Sequence, residues 1–392
     1  WAQLPGIDCG GTFAPVCRLQ NIRMMLAVAA ELDYEVPMLD VQTAFLNADV
    51  EEEVYVKMAP GYETFDKSGV PFVIKLKKSL YGLRQSPKNW FGTIDDHLST
   101  ISFRSLKSDS CVYLKKKLLN CFDMTDLMDV SNVLGMNVTR DRENETITID
   151  QKNYTEDTLE LYGMTHCNVA LTLDPIIGAL MYLAQVSRYD ILYAVNQLAR
   201  AMSKPSKAHM GAAKHVLRYL AGSANFSITY RRSGFKLTTY IDANWRGNPD
   251  NGKFTSSYIV ILANGPISFK VGLQSLTAQS TMEAEIVAAA TAMKESLFCR
   301  NMMMELGFTE GFRSVPVYIG NTSALHVAGN ITFIPRVKHM SLRYFVVQEL
   351  VKEGQVTIHF AKTDHQLADL GTKYLKKHRH HVLIKLINEF RA

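Results

Sequence analysis

Ser280-Thr281-Met282-Glu283-Ala284-Glu285-Ile286 decides how the C-terminal part of the chain reads. A serine followed three residues later by glutamate, just ahead of an apolar run, marks a capped helix start. From Thr281 to Leu306, Ile286, Ala289, Ala290, Met293 and Leu297 share one face, so the spacing predicts a long helix. Lys236–Asp242, Phe254–Ala263 and Pro266–Lys270 read as strands before it. Val315–Ile319 and Val356–Ala361 read as strands after it, with helices near Leu342–Lys352 and from Gln366 onward. This succession describes a mixed sheet covered by helices.

Upstream, Gly178 to Asn225 reads as helical, with Met210, Ala213, Val216 or Leu217, and Leu220 at helical spacing. The part before residue 165 is mixed. Asn21 to Ala30 reads as a helix, Val36 to Val41 as a buried strand, and Trp90 to Leu98 as a helix after the loop Gln85-Ser86-Pro87. Val133–Val138 and Thr146–Ile149 read as paired strands around a polar turn.

The chain has 392 residues, 47% hydrophobic and 21% charged, enough for two or three domains. No apolar run reaches the roughly 18 residues of a membrane span. The start, Trp1-Ala2-Gln3-Leu4-Pro5, has no basic region ahead of an apolar one, so it is not a secretory signal, and it lacks an initiator Met, which suits a fragment. The six cysteines are scattered without zinc-ligand spacing and read as reduced thiols of an intracellular protein. A formal net charge of +5 is compatible with nucleic acid but decides little. The clusters Lys75-Leu76-Lys77-Lys78, Lys115-Lys116-Lys117 and Lys376 to His381 read first as solvated faces.

Several strings together carry a family resemblance. Asp8 to Arg23 resembles the opening segment of copia-type reverse transcriptases, and Met38-Leu39-Asp40-Val41-Gln42-Thr43-Ala44-Phe45-Leu46-Asn47 their first polymerase motif. Leu76 to Pro87, followed by Trp90-Phe91, is similar to the most distinctive signature of that family. Val195 to Leu220 resembles the connection segment. Tyr240-Ile241-Asp242-Ala243-Asn244-Trp245 and Ser280 to Glu285 resemble the ribonuclease H core. The ordered set identifies the chain as resembling the reverse transcriptase–ribonuclease H region of a Ty1/copia-type retrotransposon pol polyprotein. The resemblance implies an α/β and α+β fold: an incomplete reverse-transcriptase palm and fingers over residues 1–165, a helical connection over 166–225, and a ribonuclease H-like domain over 226–392.

Both implied chemistries use two divalent ions, Mg²⁺ or Mn²⁺, held by carboxylates from separate segments. Asp40 matches the first polymerase aspartate. The aromatic-x-Asp-Asp hairpin expected between Leu114 and Phe122 is missing, and Lys115 to Cys121 is too short to hold it. Asp95-Asp96 reads as a polar helix face rather than a substitute. Another segment is lost between Val169 and Ile176.

For the nuclease, Asp242 closes a strand on the same face as Tyr240. Glu283 and Glu285 point about 200° apart on a helix, so one site takes one of them. Capping occupies Glu283 and leaves Glu285. Asp369, in Leu367-Ala368-Asp369-Leu370-Gly371-Thr372-Lys373, matches the final carboxylate. Where the family has Asp-Asn after Val315–Ile319, this chain has Gly320-Asn321, a lost ligand position, and Asn321 reads as an N-cap. The resemblance implies substrate contacts for Lys78, Arg84, Lys338, His339 and Arg343. His339 could contact phosphate, aid product release, or simply pack. Trp90 and Trp245 read as core residues rather than base-stacking platforms.

The implied activity is RNA-directed DNA synthesis with cleavage of RNA in RNA/DNA hybrids, in a copy expected to be polymerase-dead and impaired as a nuclease. The implied partners are an RNA template, the hybrid, and the protease and integrase parts of the polyprotein. No membrane is involved. The expected compartment is intracellular, a cytoplasmic particle or the nucleus. The alternative reading is a non-enzymatic relic or a host-adopted interaction module.

Overall fold

The first helix, α1 (Leu19–Leu32), packs with strands that follow it by more than a hundred residues. In this computed structural model, which describes residues 3, 9–115, 130–163, 172–244, 253–275, 280–329 and 341–388, α1 therefore belongs to the second of two compact units. The first unit is Trp1–Arg18 with Met38–Leu127, and the second is Leu19–Pro37 with Met128–Ala392. These units do not coincide with the three segments read from the sequence.

The first unit holds a two-stranded ladder of β1 (Tyr55–Lys57) and β2 (Val73–Lys75), then α2 (Ser86–Thr100) with Pro87 in its first turn. A second short antiparallel pair follows, β3 (Phe103–Ser105) with β4 (Tyr113–Lys115). The expected buried strand at Val36–Val41 is corrected. This stretch forms no strand, and Met38, Leu39 and Val41 are 47%, 63% and 44% exposed. Apolar, β-branched residues favour extended backbone, but a strand also needs a ladder partner. Here Val36 accepts one bond from the Val130 N–H, and the residues after it accept none from described backbone.

The second unit opens with an antiparallel sheet of β5 (Asn132–Val133), β6 (Met136–Asp141), β7 (Thr146–Asp150) and β8 (Ser227–Arg231). The expected strand at Val133 is broken by Leu134 and Gly135, both at positive φ, so the pairing with β7 starts at Asn137. Alternation puts Met136, Val138, Ile147, Ile149, Ile228 and Tyr230 inside. The sequence did not anticipate β8 or the helix α3 (Lys152–Leu161). Next come α4 (Leu173–Val186), a 3₁₀ turn at Tyr189–Ile191, α5 (Leu192–Ala199) and α6 (Lys207–Ala221), packed around Ile176, Leu180, Val195, Leu217 and Leu220.

Arg23 of α1 is buried. Its Nε donates to the Ile267 carbonyl at 2.8 Å and its Nη1 to Gln185 and Val186 carbonyls at 2.9 and 2.7 Å, over the Phe269 ring. One guanidinium thus ties α1 to the end of α4 and to the next sheet.

That sheet is mixed, in the order β11 (Gly265–Leu273), β10 (Thr255–Leu262), β9 (Thr238–Asn244), β12 (Val315–Ile319), β13 (Val356–Phe360). The first two pairings are antiparallel and the last two parallel. Helix α7 (Thr281–Glu305) covers one face, with α8 (Thr322–Gly329) and α9 (Ser341–Lys352) beside it. The single helix expected from Gln366 is corrected. It is a 3₁₀ turn, Leu367–Gly371, followed by α10 (Lys377–Asn388). Close packing is the reason. A Cβ on Gly371 would lie 2.1 Å from Ser257 Oγ and 2.5 Å from Val271 Cγ2, so this turn presses its backbone onto β10 and β11 where no side chain fits.

Candidate active site

Three acids are brought together in the second unit, each on a different element. Asp242 lies near the end of β9, and Glu285 in the second turn of α7. Asp369 sits in the turn that Gly371 seats against the sheet. All three are buried, at 4%, 5% and 2% exposure. Ser280 caps α7 by accepting the Glu283 N–H at 3.2 Å, the half of the expected capping box that the structure records. Glu285 Oε2 is buried without a hydrogen-bond partner.

Burial, with the Asp242 carboxylate nearby, holds the Glu285 carboxyl well above the usual range. Burial and Asp242 also raise Asp369, which Lys373 and Arg379 partly oppose.

Gln366 assembles the site although no sequence motif singled it out. Its Nε2 donates to the Ile241 carbonyl at 2.9 Å, and its Oε1 accepts the Ala368 N–H at the start of the turn carrying Asp369. One side chain therefore fixes the spacing between β9 and that turn. Thr372 also went unassigned, and its hydroxyl donates to Asp242 Oδ2.

Lys373 Nζ stands 2.5 Å from Asp369 Oδ1 and 3.3 Å from Asp242 Oδ2. Burial works against its charge, but the two carboxylates outweigh that and raise its pKa. Arg379 reaches Asp369 Oδ2 at 3.7 Å and Asp364 at 3.8 Å. The signal for Lys373 was its place four residues after Asp369, the helical i,i+4 pairing distance.

Gly320 borders the same group. A Cβ there would sit 3.7 Å from Asp242 Oδ1 and 3.3 Å from Gln366 Nε2, at a backbone conformation open to any residue. Asn321 caps α8, its Oδ1 accepting the Ala324 N–H at 3.0 Å. Among the described residues no group of three or more His, Cys, Asp or Glu is arranged to hold a metal. The acids are close enough to raise one another's pKa, yet a lysine rather than a common vacancy lies between two of them.

The remaining expected residues lie elsewhere. Asp40 is exposed. Lys78 pairs with Asp49 at 2.6 Å, and Arg84 is exposed with its backbone N–H donated to Gln3. Arg343 Nη2 donates to Ser275 Oγ at 3.3 Å. Asp95 accepts the Tyr113 hydroxyl at 2.7 Å, Asp96 is exposed, and Trp90 is half-buried. Lys338, His339, Trp245 and the stretch meant to hold the polymerase hairpin, 116–121, lie outside the described residues. So do residues 169–171 of the second expected loss, between Val169 and Ile176. The cysteines at 9, 17, 111 and 299 form no disulfide. No helix among the described residues is long and apolar enough to cross a membrane.

Residues 1–117 match the family model described as reverse transcriptase (RNA-dependent DNA polymerase). The chain is 30% identical over 443 aligned residues to the Retrovirus-related Pol polyprotein from transposon TNT 1-94 of Nicotiana tabacum, covering 98% of this chain and 33% of that one. It is 31% identical to the corresponding polyprotein from transposon RE2 of Arabidopsis thaliana, covering 96% and 29%. The Putative transposon Ty5-1 protein of Saccharomyces cerevisiae is 28% identical, covering 66% of this chain and all of that one. Among solved structures, the foamy viral protease-reverse transcriptase in complex with RNA/DNA hybrid is 14% identical at a TM-score of 0.44, over 87% of this chain and 48% of that one. RNase H1 from the halophilic archaeon Halobacterium salinarum is 16% identical at 0.26, over 35% and 94%.

The reverse-transcriptase match over residues 1–117 is followed in the second unit by the five-stranded mixed sheet that carries the three acids. The chain is similar to retrotransposon Pol polyproteins of the copia type and spans about a third of the length of the first relatives it matches. The alignment of 443 positions exceeds the 392 residues of the chain by 51, so at least that many positions of the tobacco relative have no counterpart here.

Proposed function

We propose that this chain is an internally shortened reverse transcriptase–ribonuclease H segment. Its polymerase is dead, and its nuclease cuts the RNA strand of RNA/DNA hybrids weakly. What carries the reading is the meeting of Asp242, Glu285 and Asp369 from three elements, with Gly320 beside Asp242 where a fourth carboxylate would reach them. A buried carboxylate oxygen without a partner, on Glu285, fits a cation there. As the acids stand, with the Lys373 ammonium between Asp242 and Asp369, they are not arranged to hold an ion, and Lys373 would have to withdraw before Asp242, Glu285 and Asp369 could hold Mg²⁺ or Mn²⁺. Such an ion activates water and offsets charge building on the scissile phosphate. The chain's own part is positional: Gln366 sets the spacing of β9 and the turn, Gly371 lets the turn approach, and Thr372 orients Asp242.

With three acids in place of four, affinity for hard divalent cations is reduced. Asp40, exposed, has no described acids gathered around it for a polymerase ion pair, and the unmatched positions in the tobacco relative fit an internal loss. The substrates on this reading are an RNA template and the hybrid, the partners are the other parts of the polyprotein, and the compartment is an intracellular particle or the nucleus. A non-enzymatic relic is the second reading, favoured by the same missing ligand.

Cleavage of a labelled RNA/DNA hybrid by the full chain, across Mg²⁺ and Mn²⁺ concentrations, tests the proposal. Weak cutting abolished by Asp242→Asn and raised at least tenfold by Gly320→Asp is expected. A folded Gly320→Asp chain without activity favours the relic. Primer extension on an RNA template should match that of Asp40→Asn, and extension above that level would mean that the polymerase still works.

A further inference from the structure

A cleft of about 1320 Å³ lies in the second unit, on the face of the five-stranded sheet turned away from α7. Thr239 Oγ1 pairs with Ser296 Oγ of α7 at 2.7 Å, so alternation along β9 sends Tyr240 to the opposite face. Tyr240 and Tyr318 form the floor, and Leu367 and Leu386 line the cleft from the 3₁₀ turn and from α10. The two tyrosine rings stack at 4.9 Å, and His359 of the edge strand β13 continues the row at 5.2 Å from Tyr318. Arg231, Arg232 and Lys236 line the cleft from the end of β8 and the segment after it, and none of its lining residues is acidic. Among the described residues neither of these arginines meets a carboxylate, whereas Arg140, Arg142, Arg188 and Arg379 each do. The nearby acids are engaged or lie in the open. Glu31 accepts the Ser233 and Gly234 N–H groups at 2.7 and 2.6 Å, which fixes the turn after the two arginines. Asp364 pairs with Arg379 at 3.8 Å, and Glu310 is exposed.

We propose that this cleft holds an unpaired nucleic-acid strand, with its phosphates on Arg231, Arg232 and Lys236 and its bases over the apolar floor.

A concave surface with three cations and no acid attracts a polyanion. Arginine suits phosphate, because its planar donors match two oxygens at once. A duplex would leave the floor unused, since its base faces are hidden and only phosphates point outward. A single strand uses both parts, the backbone on the cationic side and the bases against rings and aliphatic side chains. An acidic peptide would satisfy the cations but brings no flat apolar face with each charge. The floor also leads toward the acids. Asp242 stands two residues past Tyr240 on the same face of β9, and Gly320 two past Tyr318 at the end of β12, about 7 Å along each strand. A nucleic-acid strand lying along the floor therefore runs up to the acid cluster, but its binding needs neither metal nor cutting.

The test is binding of a short fluorescent oligouridylate to the full chain in chelator. Arg232→Gln combined with Lys236→Gln, both exposed, removes two phosphate contacts. The slope of log affinity against log salt should fall by about 1.4, at about 0.7 per contact, and affinity at about 0.1 M salt should drop tenfold or more. Lys207→Gln combined with Lys214→Gln makes the same charge change on α6 and should alter affinity less than about twofold. Photo-crosslinking from 5-iodouridine in the strand should map to Tyr318 or His359. Unchanged affinity in the cleft variant, equal loss in both double variants, or cross-links confined to the first unit would each overturn the site. Tighter binding of a duplex of the same length, or displacement of the strand by oligoglutamate of equal charge, would make the cleft a general polyanion or peptide site and overturn the single-strand assignment. Because no metal is present, loss or survival of the nuclease reading changes none of these outcomes.

Discussion

In the unit built from Trp1–Arg18 and Met38–Leu127, Phe13 and Val16 are 83% exposed and Tyr62 and Tyr81 are 76% and 67% exposed. In the other unit, Ile176, Leu180, Val195, Leu220, Met293 and Met302 are all sealed from solvent. Both are apolar enough to fold, and what separates them is the number of partners each strand finds. Among the described residues β1–β2 and β3–β4 are separate pairs of three-residue strands, and a two-stranded sheet buries little of either face. The four- and five-stranded sheets of the second unit each bury one. Losing strands from a sheet therefore does more harm than losing the same number of residues from a loop, because every neighbour is left with an open edge.

Limited proteolysis should show the largest difference. Cleavage within residues 38–115 is expected to outrun cleavage within 173–388 by at least tenfold. The fragment carrying α1 should stay associated with the C-terminal fragment after nicking, since Arg23 is bonded to Gln185, Val186 and Ile267. Survival of 38–115 as the resistant piece would reverse the comparison.

A smaller effect is expected from Gly371→Ala. Its new Cβ would overlap Ser257 Oγ, which should cost about 1–3 kcal/mol and lower the thermal midpoint of the second unit by several degrees. Gly272→Ala is the control, because a Cβ there meets nothing within 4 Å, and should change stability by no more than about 0.5 kcal/mol. Equal effects would show that the turn is not tightly seated.

The smallest effect concerns pH. Glu285 and Asp369 are held above their ordinary values of 4.5 and 3.8, so the folded chain keeps protons that the unfolded chain has released. That contribution lowers stability as pH rises beyond about 4.5. In chelator, the advantage of Glu285→Gln over the unmodified chain should therefore grow as pH rises from about 5 to 8. The raised pKa of Lys373 acts above its ordinary 10.5, outside this window. A constant difference across the range would remove Glu285 from the titrating cluster.

The five-stranded sheet was legible because its elements carry their own periodicity. Val315–Ile319 was placed to the residue, and the helix from Thr281 to within one residue of its end. Three acids of the site could be named from short strings around them. Gln366 and Thr372 could not, since each acts through a partner far away in sequence, Ile241 and Asp242. Val36–Val41 misled for the opposite reason: its composition favours a strand, but the ladder that would make one is not local. β8 went unread because Ser227–Arg231 is short and mostly polar, and its pairing with β7 spans 81 residues at Thr148 and Thr229.

Arg23 has a consequence during synthesis. It leaves the ribosome long before Ile267, 244 residues later, which accepts its Nε hydrogen bond. At roughly 5–20 residues per second, α1 waits on the order of 10–50 s with its apolar side and an unsolvated-to-be guanidinium uncovered. In the later part of that interval the Gln185 and Val186 carbonyls and strands β7 and β8 are already available to α1, while the face that packs on β11 stays uncovered. The stretch of translation between codons 32 and 267 is thus when a chaperone or a protease has the best access to this protein.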